Sequence, residues 1–411
     1  ANAQFTTWES LAGHPVCAKQ GSYFNTPIAR RYDLDLIIFR ENREAKLALR
    51  NGRCVGFLFD DTAIVADLLL DEWAGYEMPL PTLDAVGWSI GLRHASLDSD
   101  LGMTVRQAIA DWHRSGVLVD LQRKWGIPPT EFVADMHARW SALDAEDGTA
   151  CSVGPGGDID PECGFAPALP PVVVEPRTKG PIELWLNDRG LSLTIVFDPY
   201  DRAHFLTGVM FTILLSLACV ALSLVVGLLG AWLSRSTIGI IRVATNALIE
   251  FFRFTPPLVQ LYFFYFGIGT LLPSLGSFAW AAITLGLYAG ASNAVIFGAG
   301  LATVPRDVRE TAQALGYRPL SAQIHVIMPL AIRNCLPALN ANLVNIVKAT
   351  GLAAAIAVPE LLYATNQIWL EHGNTTEMMN VLLVLFFVLV SIVVFFMGRI
   401  EKRLWIPGGV Q

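Results

Sequence analysis

The chain has 411 residues, a mean hydropathy of +0.46 and a net charge of −7, and only 16% of its residues are charged. So apolar a composition excludes an ordinary soluble protein. Residues 1–206 carry 18 Lys and Arg against 29 Asp and Glu, whereas residues 207–411 carry 11 against 7. The acidic half argues against a nucleic-acid partner, and the apolar residues concentrate after about Phe205. The sequence therefore predicts a soluble part followed by a membrane part.

Alternating strand-like and helix-like runs predict an α/β domain over residues 1–140. Three runs are typical of strands: His14 to Lys19, Leu34 to Phe39 and Cys54 to Asp60. The last is nearly continuous in apolar residues, as in a parallel sheet covered on both faces. The remaining predicted elements are a strand over 88–93 and helices over 42–49, 103–115 and 117–125.

Four short motifs of this domain resemble the second lobe of periplasmic polar-amino-acid-binding proteins. They are Gly21-Ser22-Tyr23, Ala48-Leu-Arg-Asn-Gly-Arg53, Cys54-Val-Gly-Phe-Leu-Phe-Asp-Asp61 and Lys124-Trp125. The strand with its double aspartate is most similar to the glutamate/aspartate-binding branch. The first lobe of that family precedes this segment, so we expect it in an upstream part of a longer precursor. A fused half-receptor is the alternative.

The resemblance implies which residues bind the amino acid. Asp60, at the carboxyl end of the third strand, would pair with the α-ammonium group. Ser22 and Tyr23 lie just before a helix expected near Asn25, where a hydroxyl and backbone N–H groups would bind the α-carboxylate. Tyr23 replaces a small hydroxyl residue of the family. The alternative for Asp60 and Asp61 is helix capping at a solvated strand end.

We predict a linker over residues 141–200, because the stretch from about Ala145 to Lys179 is rich in Gly, Pro, Asp and Val. On an oxidising side of the membrane, Cys151 could pair with Cys163, and Cys17 with Cys54; free or buried thiols are the alternative. Neither a CxxC motif nor a His-rich cluster is present, so no metal site is predicted.

We predict that residues 201–411 form an all-α polytopic membrane domain of about five transmembrane helices. Five segments have the length and apolarity that a crossing requires, approximately Phe205 to Leu233, Val243 to Leu271, Phe278 to Thr303, Val326 to Val358 and Met378 to Met397. Arg and Lys cluster after the first, third and fifth segments, which predicts that these ends are cytoplasmic. The N-terminal half is then expected outside, in the periplasm of a Gram-negative cell, and the C-terminus in the cytoplasm.

A polar segment between the third and fourth segments carries the most specific motif. It reads Glu310-Thr311-Ala312-Gln-Ala-Leu315-Gly316 and is followed by Val326-Ile-Met-Pro329. This pattern resembles the EAA loop of ABC importer permeases, from which Thr311 and Met328 depart. We expect a short cytoplasmic helix ended by Gly316, in which Ala312 and Ala314 permit close approach by an ATPase subunit. An ordinary polar loop is the alternative.

Two further blocks resemble the permease core of amino-acid importers: Phe252-Arg253-Phe-Thr-Pro256-Pro-Leu-Val-Gln260 and Ile346-Val-Lys348-Ala-Thr350-Gly-Leu352. Pro256 and Pro257 should break the second helix. Lys348 is a charge within an apolar segment, which indicates a function or an internal ion pair; snorkelling to an interface is the alternative. Val295 and Gly298 replace a Glu and an Arg of the family.

The resemblance implies the membrane permease subunit of an ATP-driven importer, of the type I architecture, for polar amino acids such as glutamate or aspartate. The chain has no Gly-x-x-x-x-Gly-Lys-Ser/Thr motif, so a separate cytoplasmic ATPase is expected, and neither an enzymatic activity nor a cofactor is predicted for this chain. Other expected partners are a second permease subunit, membrane lipid and, as another source of substrate, a separate periplasmic binding protein. A ligand-gated channel or a non-transporting amino-acid receptor is the alternative function.

Overall fold

The computed structural model describes residues 5–83, 90–93, 99–127, 129–142, 151, 153, 163, 179–272 and 274–404. The chain divides into two compact units. The first comprises Ala1–Gly13, Thr26–Leu34 and Leu58–Arg177, and the second comprises His14–Asn25, Asp35–Phe57 and Thr178–Gln411. The second unit therefore contains pieces of the predicted α/β domain together with the membrane helices.

The strands form a small sheet. Strands β1 (Pro15–Lys19), β2 (Asp35–Phe39) and β3 (Gly56–Leu58) lie in the order β2-β1-β3. β1 and β2 are parallel, with Pro15 opposite Asp35, which agrees with the predicted parallel sheet. β3 is shorter than predicted because the chain already turns at Asp60 into the next helix.

A disulfide joins Cys17 in β1 to Cys54 just before β3, with the Cα atoms 5.6 Å apart. Cys17 is wholly buried, and its neighbours Val16 and Ala18 are buried too. The central strand is therefore cross-linked within an apolar layer, and the pairing considered from the sequence is present.

Helices α1 (Asn25–Tyr32) and α2 (Asn42–Arg50) follow β1 and β2. α2 begins with a capping box, in which the backbone N–H of Glu41 donates to the Glu44 carboxylate (3.3 Å). Ala45 and Ala48 form its buried face. These bounds confirm the helix predicted over 42–49.

The first unit contains helices α3 (Asp61–Leu68), α4 (Asp100–Ser115), α5 (Val117–Lys124) and α6 (Glu131–Ser141). α4 and α6 pack around Ala110, Met136 and Trp140, and the disulfide between Cys151 and Cys163 joins this cluster. Part of the predicted linker thus packs on helices. The strand predicted over 88–93 lies partly outside the described residues, and residues 90–93 are not in a strand.

The remaining helices belong to the second unit. They are α7 (Pro181–Asn187), α8 (Thr194–Phe197), α9 (Pro199–Leu233), α10 (Gly239–Phe254), α11 (Pro257–Tyr262), α12 (Ser277–Ala302), α13 (Arg306–Ala314), α14 (Pro319–Ala322), α15 (Met328–Ala349), α16 (Leu361–His372) and α17 (Thr375–Leu404). Within the described part of the chain, four segments have the length and apolarity to cross a membrane: Pro199–Leu233, Ser277–Ala302, Pro319–Ile356 and Thr375–Arg403.

The described residues contain four helices of membrane length rather than the five expected, together with the shorter apolar stretch Pro257–Leu271. The predicted second crossing is interrupted along its length. It is divided into α10, α11, a π-helical turn (Phe263–Gly267) and a 3-10 turn (Ile268–Leu271). Pro256-Pro257 causes the break between α10 and α11, because proline supplies no N–H and disfavours the helical conformation of the residue before it.

Glycines bring α9 and α12 into direct contact. Gly286 and Gly290 of α12 lie one turn apart in a Gly-x-x-x-Gly pattern, against Leu222 and Val226 of α9. A Cβ atom on Gly290 would lie 2.6 Å from the Val226 side chain, far inside van der Waals contact. Small residues of this kind let membrane helices pack backbone to backbone.

Candidate functional site

The predicted cytoplasmic helix is present as α13 and ends as the sequence predicts. The N–H of Gly316 donates to the Gln313 carbonyl (2.9 Å), and the N–H of Tyr317 donates to the Ala312 carbonyl (3.1 Å). These two bonds form a Schellman motif around Gly316, whose φ of +84° favours glycine. The motif turns the chain sharply between Leu315 and the start of α14.

Both polar and apolar side chains on α13 and just after Gly316 are exposed to solvent. Glu310 and Thr311 are exposed, and Leu315 is 74% exposed although leucine is usually buried. Leu320, just beyond the turn, is 66% exposed. We call the four residues Glu310, Thr311, Leu315 and Leu320 the coupling surface, since apolar side chains rimmed by polar ones are typical of a protein–protein contact.

Ala312 does not belong to this surface, contrary to expectation. It is 3% exposed and therefore packs against the chain itself, whereas Ala314 is exposed. The reason is helical geometry, because residues two apart on α13 point to different faces. The small side chain of Ala312 thus lets α13 pack closely against the rest of the chain.

The base of α13 is anchored to the membrane helices. Arg309 donates from Nη2 to the Leu301 carbonyl at the end of α12 (2.9 Å). An apolar cluster follows, formed by Leu301, Val304, Ile327 and Ala331. Pro329 lies in the first turn of α15, where its missing N–H costs nothing, and is exposed. The coupling surface is therefore carried on a fixed support.

Gln260 compensates for the break in the second membrane segment. It is 1% exposed, and its Nε2 donates to the carbonyls of Phe252 (2.8 Å) and Thr255 (2.9 Å). Both carbonyls lie at the end of α10, where Pro256 and Pro257 remove the usual donors. Buried backbone groups in a membrane require such partners, so Gln260 has a structural role that explains the motif.

The other predicted core residues occupy two places. Arg253 is exposed near the end of α10, with its guanidinium 5.8 Å from the Phe254 ring centroid. Lys348 is exposed near the end of α15, whereas Thr350 is wholly buried and donates to the Val347 carbonyl (2.7 Å). Thr350 opens a 3-10 turn, Thr350–Ile356, which packs against α11. The structure thereby brings the elements that carry Gln260 and Thr350 together.

A polar chain through the apolar core was not found from the sequence. Asn342 Nδ2 donates to Asn293 Oδ1 (2.7 Å), and Asn293 Nδ2 donates to Ser223 Oγ (3.1 Å). These bonds join α15, α12 and α9. Asn293 and Ser223 are wholly buried. The available signal was an amide within each of two membrane-length apolar segments, which is costly unless it is bonded or functional.

The departure at Gly298 also has a structural explanation. Arg235, which follows α9, donates to the Gly298 carbonyl and, from Nη1, to the Ala231 carbonyl (2.9 Å). A Cβ atom on Gly298 would lie 3.2 Å from Arg235 Nη1. Glycine at 298 therefore leaves room for a guanidinium that arrives from another helix.

The proposed ligand residues are divided between the two units. Ser22 and Tyr23 belong to the second unit, directly before α1, and Tyr23 is 69% exposed. Asp60 belongs to the first unit, at the N-cap position of α3, where its side chain makes no capping bond. Asp61 is engaged, because its carboxylate accepts from the Thr62 N–H (2.6 Å) and the Thr82 hydroxyl (3.0 Å).

An ion pair joins the start of α9 to the end of α16. His372 Nε2 lies 2.8 Å from Asp201 Oδ2, and Asp201 is almost wholly buried. The hydrogen bond to Asp201 raises the pKa of His372 above its usual value. Glu371 brings a third possible metal ligand within 4.8 Å of these two. We infer that these residues join the two helices rather than bind a metal ion, because Asp201 and His372 already pair with each other.

Glu360 begins α16 from a fully buried position. Its two carboxylate oxygens accept from the N–H groups of Leu362 and Tyr363, both at 2.9 Å. Burial raises the pKa of Glu360 to about 8. The residue is thus an N-cap whose charge is opposed by its apolar surroundings.

The His372 pair predicts a pH-dependent stability. A raised folded-state pKa stabilises the fold fully below about pH 6.5, the unfolded value, and this contribution disappears as the pH rises through the folded pKa. We expect the melting temperature of wild type to fall by roughly 2–4 °C more between pH 6 and pH 8.5 than that of His372→Gln. Thermal unfolding in detergent measures this difference. Glu360 titrates in the same direction in both proteins, so parallel curves would contradict the assignment to His372.

The membrane half of the chain is similar to known proteins. A family model described as "Binding-protein-dependent transport system inner membrane component" matches residues 223–406. The chain is 31% identical over 153 residues to the "Probable amino-acid permease protein YxeN" of Bacillus subtilis (strain 168), covering 36% of this chain and 68% of that protein. It is 28% identical over 217 residues to the "Probable glutamine ABC transporter permease protein GlnM" of the same strain, covering 52% of this chain and 98% of that protein.

Among solved structures, an amino acid ABC transporter crystallised with histidines aligns with a TM-score of 0.46 and 27% identity, over 49% of this chain and 94% of that chain. The family match spans the helices that carry the coupling surface, the hydrogen bonds of Gln260 and the hydrogen bonds from Asn342 through Asn293 to Ser223. The chain therefore belongs to the family of binding-protein-dependent transport inner membrane components, as an ABC importer permease of the polar amino acid type.

Proposed function

We propose that this permease imports a polar amino acid with its N-terminal residues acting as an outward receptor, and that the coupling surface transmits ATP hydrolysis to the membrane helices. The observation that carries the proposal is the exposed Leu315 at the end of α13, the helix that carries Glu310 and is anchored to α12 through Arg309. Force applied at such a surface reaches the membrane core through packed side chains.

The substrate class follows from the relatives. Proteins that match the membrane half are named as permeases for glutamine, for amino acids and for octopine. An amino acid is therefore the expected cargo. Glutamate or aspartate is the specific proposal, supported by the likeness of the Cys54–Asp61 strand to the glutamate/aspartate-binding branch of the receptors.

The partners follow from the family. A permease of this type works with an ATPase and a second permease subunit, which here is either another copy of the chain or a related one. The localisation we propose is the inner membrane, with residues 1–140 outside and the C-terminus in the cytoplasm. This orientation requires that the interrupted second segment also crosses the membrane, as a fifth crossing beside the four long helices. Arg306, Arg309 and Arg318 around α13 support this orientation, because short cytoplasmic loops carry an excess of Arg and Lys.

Asp60 is the receptor residue that we assign to the α-ammonium group. The different hydrogen bonds of the two aspartates support this proposal, since Asp61 accepts from Thr62 and Thr82, whereas Asp60 makes no capping bond. A charge-assisted hydrogen bond contributes about 1.5–3 kcal/mol, or roughly ten- to a hundredfold in affinity.

We therefore expect Asp60→Asn to weaken amino-acid binding by roughly ten- to a hundredfold, and the matched Asp61→Asn variant to change it by less than about threefold. Calorimetric titration of the full-length protein with glutamate, aspartate and glutamine measures both. Equal small effects from the two substitutions would show that residues 1–140 are not the receptor. Selection of the substrate would then lie in the membrane helices or in a separate binding protein.

A further inference from the structure

Arg53 reaches from the soluble part of the second unit onto the broken membrane helix. Its guanidinium lies 3.8 Å from the centroid of the Tyr265 ring. Nη2 donates to the Tyr265 carbonyl (2.9 Å), and Nη1 donates to the Leu275 carbonyl (3.1 Å). One side chain thus holds both ends of the stretch between these residues, by a cation–π contact and a forked pair of hydrogen bonds.

The membrane helix is shaped to receive this arginine. Gly269 lies between the two carbonyls, and a Cβ atom there would overlap with Arg53 Nη2. The backbone φ of Gly269 is not in the left-handed region, so its conformation does not demand glycine. The absence of a side chain at 269 is explained by the space that the guanidinium occupies.

Three further contacts join the same two parts. The Tyr262 hydroxyl donates to Glu44 (2.9 Å), the Phe39 and Phe266 rings lie 6.3 Å apart between centroids, and the Ile38 N–H donates to the Tyr363 hydroxyl (2.8 Å). The soluble side of all these contacts lies within Asp35–Phe57, which we call the docked segment. The docked segment therefore meets the membrane domain through charge, aromatic and backbone contacts at once.

The docked segment lies on an irregular part of the membrane domain. Tyr265 belongs to the π-helical turn, and Gly269 belongs to the 3-10 turn that follows. The hydrogen bonds in such turns differ from those of an α-helix, and the turns often mark hinges or functional sites within a helix. Residues that clamp both ends of this stretch determine which pattern it adopts.

We propose that the outer end of the broken helix is a docking surface whose partner is the chain's own segment Asp35–Phe57, with Arg53 as the positioning residue that fixes the turns from Phe263 to Leu271. The segment thereby determines the conformation of the irregular helix. Movement of the segment would be passed to the membrane path through Arg53.

Hydrogen–deuterium exchange of the full chain in nanodiscs tests this proposal without requiring transport. We expect Arg53→Ala to speed exchange of the amides of Phe263 to Leu272 by about tenfold, as the clamp opens more often. Gly269→Ala, which acts from the other side of the contact, should give the same increase. Arg53→Lys keeps the cation and one donor, so it should restore exchange to within about threefold of wild type.

The matched control is Arg43→Ala, which removes an exposed arginine from the first turn of α2 and should leave exchange in this stretch unchanged. The melting temperature and exchange of α12 report on general destabilisation and should stay constant in all variants. Unchanged exchange of Phe263 to Leu272 in both Arg53→Ala and Gly269→Ala would overturn the proposal. Increases that spread equally over α12 would also overturn it, because Arg53 would then only support the fold.

Discussion

Glu310→Lys and Gly316→Asp are expected to abolish amino-acid uptake while the protein still inserts in the membrane. Glu310 contributes the charge of the coupling surface, and removing one partner of a charge pair that becomes buried at a protein contact costs about 2–5 kcal/mol, roughly thirtyfold or more in affinity. Gly316 has a φ of +84° and ends α13, so a side chain there strains the Schellman motif and turns Leu315 away. Uptake and membrane abundance are measured together in whole cells.

Asp307→Asn is the matched control, because it removes an exposed carboxylate from the same helix at a position outside the coupling surface. Its uptake should equal that of wild type. If Glu310→Lys and Gly316→Asp also transport normally at wild-type abundance, α13 is not the contact with the ATPase, and the coupling mechanism proposed for this chain fails.

Gly290→Leu is expected to prevent folding of the membrane domain. A Cβ atom added at this position would lie only 2.6 Å from the Val226 side chain, so a leucine side chain would force α9 and α12 apart. Overpacking costs about 1–3 kcal/mol where a core can adjust, and more where two helix backbones must separate. The separation would also break the bond from Asn293 to Ser223, which spans the same two helices.

Gly398→Leu provides the control, since a Cβ atom at Gly398 in α17 has no neighbour within 4 Å. Monodisperse yield after detergent extraction and the melting temperature should be lost for Gly290→Leu and retained for Gly398→Leu. Equal yields and melting temperatures for the two variants would contradict the close α9–α12 contact.

The sequence predicted the features that depend on local chemistry. Gly316 ends α13 because few other residues adopt its conformation, and the Pro256-Pro257 pair interrupts the second membrane segment because proline cannot continue a helix. A parallel sheet was expected from the continuous apolar run of the third strand, and the structure has β1 parallel to β2. The two cysteine pairs, considered from an expected oxidising location, are both present as disulfides. Each of these depends on residues close in the chain or on composition.

What the sequence did not predict depends on distant residues. The exposure of Ala312 was expected from its small size, yet the way α13 sits on its support decides that it is buried. Arg53 and Tyr265 are 212 positions apart, and no periodicity relates them. The same holds for the chain from Asn342 to Ser223, which exists only because three helices pack together.

The most direct test of the account is ATP-driven uptake by the reconstituted transporter. Full-length protein is placed in proteoliposomes with its ATPase subunit, and labelled glutamate, aspartate and glutamine are offered in turn outside. The account predicts that at least one of them accumulates above its external concentration when ATP is enclosed, and that a non-hydrolysable ATP analogue prevents this. Equilibration of the label to equal concentrations, with or without ATP, would contradict the account and indicate a passive channel.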